Sequence, residues 1–77
     1  MEEKDKLAFV AKALDCPIKN LKPGGFLEEL EEWDSLGMVS VMAMLDKHFA
    51  VRVQPKEIRG FKTVSDILAK MDEGVAN

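Results

Sequence analysis

Three stretches of this chain set apolar side chains three and four residues apart, with proline and glycine between them, and that spacing points to packed helices. In the first, Leu7, Val10, Ala11 and Leu14 fall at i, i+3, i+4 and i+7, with Phe9 beside the stripe and able to widen it. Asp15-Cys16-Pro17 stops this helix, because a proline disfavours α geometry in the residue before it. The second begins at Asp34 or Ser35 and ends near Ala50. The Asp34 carboxylate is a good N-cap, and Val39, Met42, Leu45 and Phe49 form the predicted core face. The third opens at Thr63-Val64-Ser65-Asp66, a near capping box with Asp where Glu is usual. It is predicted to bury Val64, Ile67, Leu68 and Met71, and its tail, 73–77, to fray.

Shorter signals complete the pattern. Pro55-Lys56-Glu57-Ile58 reads as a short helix with Pro at its first position, ended by Gly60. Val51-Arg52-Val53 alternates like a strand but is too short to build a sheet. A long connection, 16–34, turns at Pro23-Gly24-Gly25. Its Ile18, Leu21, Phe26, Leu27 and Leu30 are too apolar for a floating loop and are expected to tie it over the core, with a short helical turn within 27–32. The predicted helices are 2–15, 35–50, 55–59 and 63–73. Helices with one apolar face are covered only by each other. The expected fold is therefore all-α: one domain over 1–77, a small four-helix bundle of three longer helices and a short third, with a long first loop.

The chain has 77 residues, room for one core. One cysteine, Cys16, excludes an intramolecular disulfide, and with one histidine, His48, it cannot make a four-ligand zinc site without several carboxylates. No metal is expected. The core must come from apolar side chains, which at 47% are plentiful enough to argue against disorder. Residues 1–34 carry a net charge of −4 and residues 35–77 a net charge of +1. Glu28, Glu29, Glu31, Glu32 and Asp34 form a block that repels a phosphate backbone, so nucleic acid is not an expected partner and a basic protein surface is. Docking through these acids should weaken as salt rises. No run approaches the ~20 apolar residues of a membrane span. With no signal-peptide pattern and a lone thiol, the expectation is a cytoplasmic protein, and a monomer is the default.

Catalytic sets are hard to assemble. His48 lies near the end of the second helix, where an imidazole is a favourable dipole partner. Cys16, in a loop with no base nearby in sequence, reads as a small apolar filler. The acids at 28–34 lack the alternating ligands and central glycine of a calcium loop and read as solvated surface. Asp34-Ser35-Leu36 remains. Ser35 is a hydroxyl at the first turn of a helix after a long loop, expected to be exposed. A phosphate ester there would meet free N–H groups and the positive helix end, although Asp34 opposes a second negative charge. Taken alone, the tripeptide is equally well a cap and a first-turn serine.

Its context resembles the acyl carrier protein family. The likeness runs through Asp34-Ser35-Leu36, Val39, Met42, Leu45, Phe49 and Val53, then Pro55-Lys56-Glu57-Ile58 and Thr63-Val64-Ser65-Asp66-Ile67-Leu68. It covers most of 5–72 and is specific only after residue 27. The resemblance implies a carrier, not an enzyme. A phosphopantetheinyl transferase would attach 4'-phosphopantetheine covalently to Ser35, with Asp34 and Leu36 completing the motif it reads. The arm would hold acyl intermediates as thioesters for acyl-transferring, ligase or synthase partners of fatty-acid, polyketide or related specialised synthesis.

The chain departs from the family's fatty-acid members in the second helix. Their exposed face carries several acids; the positions expected to be exposed here are Gly37, Ser40, Val41, Met44, Lys47 and His48, with Asp46 the remaining acid. Trp33 stands two residues before Ser35. These departures point to a specialised carrier whose partners meet Met38, Val41 and Met44, with Trp33 at the edge and Glu31 and Glu32 in the acidic block upstream. The flexible methionines Met42 and Met71 are either adaptable lining for an acyl chain or ordinary core. An aminoacyl or D-alanyl carrier shares the motif and size. A helical interaction module that is never modified is the alternative of another class.

Overall fold

The computed structural model describes residues 2–75. Its helices are α1 (Glu3–Leu14), α2 (Ser35–Phe49), α3 (Pro55–Arg59) and α4 (Val64–Val75). Single 3-10 turns at Ile18–Asn20 and Leu27–Glu29 interrupt the first connection. α2 packs most extensively on α1, α4 packs against both, and α3 leans on α2. No strand forms among the described residues. Val51 and Val53 are buried from an extended link while Arg52 faces out. No described helix is long and apolar enough to cross a membrane.

Sequence periodicity is obeyed closely in α1 and α4. Val10, Ala11 and Leu14 are buried and Leu7 is half-buried. Phe9 widens the stripe as expected, its ring 5.1 Å from both Phe49 and His48. Val64, Ile67, Leu68 and Met71 are all buried. α4 runs to Val75, two residues past the expected helix end at 73; 76 and 77 lie outside the described residues.

α2 differs. Leu45 and Phe49 are buried and Met42 is half-buried, but Val39 is 60% exposed, and the inner face is made by Gly37, Val41, Met44 and Leu45. The stretch Leu36–Leu45 is apolar almost all round, so periodicity alone cannot fix how the helix is rolled. Gly37 settles it. A Cβ at this position would fall on the Glu32 carbonyl oxygen and 3.0 Å from Leu14 Cδ2. The side of α2 bearing Gly37 is thus the one that the loop and α1 can approach.

The first loop is tied down by backbone pairing as well as by Leu21 and Leu27, which are buried. Leu27 N–H donates to the Lys62 carbonyl (2.8 Å), Val64 N–H to Gly25 (3.1 Å) and Ser65 N–H to Pro23 (2.9 Å). The Ser65 hydroxyl donates to the same Pro23 carbonyl at 2.6 Å. Ile18 and Phe26, expected to cover the core, are instead exposed: the short 3-10 turns present one apolar neighbour inward and leave the other out.

Asp66 accepts hydrogen bonds from the N–H groups of Lys62 (2.8 Å) and Thr63 (3.0 Å), as the near capping box predicts. These bonds, Lys62 first, hold its carboxyl below the usual carboxylate range. A depressed folded pKa means that its contribution is complete above the unfolded value, about pH 4, and is lost as pH falls through the folded value. The urea midpoint of the wild type should fall in that acid window, and Asp66→Asn, which cannot ionise, should show a flatter dependence. At the end of α2, Ala50 adopts a left-handed conformation (φ 56°, ψ 33°). Its N–H donates to Asp46, and Val51 N–H donates to Leu45. Glycine is the usual residue here. Ala50→Gly should relieve strain in excess of the extra chain entropy, a net gain of about 0.5–1 kcal/mol. Calorimetry should show the thermal midpoint rising by roughly 3–6 °C.

Candidate functional site

Ser35 is the first residue of α2 and is exposed. The turn that presents it is built by its neighbours. Asp34 has extended backbone (φ −119°, ψ −171°), and its Oδ1 accepts the Gly37 N–H at 2.8 Å. The Asp34 carbonyl accepts the Met38 N–H at 2.9 Å, closing the first helical bond. The N–H groups of Ser35 and Leu36 have no protein acceptor among the described residues. An anion attached to Ser35 would therefore sit at the positive end of a 15-residue helix beside two open donors.

Nothing described in this chain activates that hydroxyl. His48 is in the last turn of α2, its ring against Phe9. Cys16 is half-buried, and burial first, then the carboxylates of Glu32 and Asp15, push its thiol up, away from the reactive thiolate. Ser35 can serve as an acceptor of a group delivered from outside; no nucleophile–base pair is assembled around it.

The residues expected to form a docking face divide. Val41 is fully buried and Met44 nearly so, which corrects their assignment to an exposed face; the same roll of α2 that buries Gly37 turns them inward. Trp33 and Met38 are half-buried, Glu31 is exposed and Glu32 is half-buried. The side chains that do stand out are Leu36, at 75% exposure, and Val39. Periodicity missed this pair because it placed Val39 in the core. Gly37 was the available signal: glycine in the first turn of a helix marks a close approach.

A cleft of about 550 Å3 lies beside the first turn of α2. Phe26, Trp33, Met38 and Phe61 line it, together with Arg59 and Lys62. The exposed hydroxyl, the open N–H donors and this adjoining cleft, aromatic in part and bordered by Glu28, Arg59 and Lys62, are compatible with a long arm that begins in a phosphate ester. Sequence comparison agrees: residues 7–70 match the family described as "phosphopantetheine attachment site". No curated protein and no solved structure matches significantly.

Proposed function

We propose, from the premise that the chain belongs to the acyl carrier protein family, that Ser35 is its loading hydroxyl and that it carries acyl intermediates for specialised synthesis. Members of this family carry covalent 4'-phosphopantetheine, whose thiol holds the cargo as a thioester. The observation that carries the assignment is the exposed Ser35 at the N-terminus of α2, inside an Asp-Ser-Leu motif whose Asp caps the helix. Asp34 holds the turn so that the hydroxyl faces solvent. The Ser35 and Leu36 N–H groups favour the phosphodiester. The transferase supplies the base, since no described residue is placed to deprotonate this hydroxyl.

Leu36 and Val39 would be the apolar contacts for the transferase and for synthase or ligase partners. Trp33 and Met38 border them, and Glu31 and Glu32 supply charge for a basic partner. Val41 and Met44 would shape the face from beneath. Incubation with coenzyme A, magnesium and a broad-specificity phosphopantetheinyl transferase, followed by intact mass measurement, tests the reading. A gain of one phosphopantetheinyl group is expected. No gain on folded protein, with the transferase of its own source included, would leave Asp34-Ser35-Leu36 as a helix start and favour the interaction module.

A further inference from the structure

The seam between α1 and α2 forms an open groove of about 230 Å3 beyond the first turn of α2. Phe9 and Ala13 of α1 and Ala43 and Met44 of α2 give it an apolar floor, and Lys12 and Lys47 stand beside them, one from each helix. Both lysines are exposed, and neither has an ion-pair partner among the described residues. Asp46, the neighbouring acid of α2, is turned to Arg52 at 3.7 Å. Asp5 lies further along α1, in the adjoining recess with Ala8, Phe9 and Lys12. Ala13 and Ala43 are the small side chains among its lining, one from each helix. Its charge is opposite in sign to that of the loop before Ser35.

We infer that this groove docks an acidic amphipathic helix of a partner protein, with apolar side chains on the floor and flanking carboxylates on Lys12 and Lys47. The choice rests on charge complementarity and shape. Two exposed lysines, one from each helix and neither ion-paired among the described residues, beside an apolar floor match a helix with one apolar stripe and flanking acids. An anionic membrane fits less well: the seam is concave, and the whole chain has a net charge of −3, which opposes a negative surface. The groove's α2 wall runs from Ser40 to His48, so it begins about 7.5 Å along the helix from Ser35. A partner held there would leave the N-terminus of α2 clear. This use of the groove rests on the carrier reading: it would tether the carrier to one dedicated assembly while the arm on Ser35 visits active sites. The carrier would then be recognised with two signs of charge, basic surfaces meeting the loop and acidic ones the seam.

Two synthetic helical peptides test this, identical in their leucine and alanine stripe but flanked by glutamates in one and lysines in the other. Each is titrated into the 15N-labelled full chain in the apo form. The glutamate peptide should bind at least about tenfold more tightly than the lysine peptide, shift the amide signals of Phe9, Ala13, Ala43 and Met44, and weaken with salt. In Lys12→Glu/Lys47→Glu the preference should invert. Ser35→Ala should bind as the wild type does, so failure of loading and failure of docking are separate results. Four outcomes would overturn the proposal: no binding of the glutamate peptide, equal binding of both, shifts confined to the 26–33 loop, or groove-dependent binding only to phosphatidylglycerol vesicles. A groove-mediated dimer of the free chain in sedimentation would overturn it as well.

Discussion

Ser35→Ala is expected to abolish loading by the transferase completely while leaving the fold unchanged. The residue is exposed at the first helical position, and its hydroxyl makes no side-chain hydrogen bond among the described residues. The cap on this turn belongs to Asp34. Removing the oxygen should alter stability by no more than about 0.5 kcal/mol, so circular dichroism and thermal midpoint should be near those of the wild type. Loading at the proposed site, in contrast, would need the oxygen itself, because the new ester bond would be made to it. No second hydroxyl can substitute from the same turn: Ser40 sits more than one turn on, beyond the open N–H groups. A folded Ser35→Ala protein that still gains one phosphopantetheinyl group would show that the attachment point is elsewhere.

Gly37→Ala is expected to be severe for a one-carbon change. The methyl would collide with the Glu32 carbonyl oxygen, which is backbone and cannot rotate away, and would press on Leu14. Either the loop 30–34 lifts from α2 or the first turn of α2 unwinds. Overpacking of this kind costs about 2–3 kcal/mol, a large share of the roughly 4–12 kcal/mol available to a chain this size. The thermal midpoint should drop by roughly 10–20 °C. The same shift would move Asp34 relative to the Gly37 N–H, so loading of the remaining folded protein should slow by about 10–100-fold. Gly24 provides the control, since a Cβ there meets nothing within 4 Å and its φ is not positive. Gly24→Ala should be neutral in both assays. If Gly37→Ala were as stable and as readily loaded as Gly24→Ala, the seating of the loop on α2 would have no part in presenting Ser35.

What the sequence revealed depended on how one-sided each segment is. α4 carries its apolar residues on one face, and Val64, Ile67, Leu68 and Met71 were placed inward from spacing alone. The Asp34 cap and the Thr63–Asp66 box were legible because each uses a side chain whose chemistry is specific to a helix start. α2 was legible in extent but not in orientation: with Leu36, Met38, Val39, Val41, Met42 and Met44 all apolar, several stripes satisfied the same period. Backbone pairings such as Gly25 with Val64 leave no side-chain signature, so the anchoring of the first loop was readable only as an excess of apolar residues. Nothing about alanine announces the left-handed turn at Ala50. The position of Ser35 survives all of these differences, because it depends on the start of α2 and not on its roll.

Whether Ser35 carries the arm is decided on protein isolated from its native source. Proteolysis and tandem mass spectrometry of the peptide spanning Asp34-Ser35-Leu36 should find a phosphopantetheinyl group on the serine oxygen, and in a fraction of molecules a thioester-linked acyl group that identifies the cargo. The same peptide recovered only in unmodified form, from cells whose other carriers are loaded, would contradict the claim.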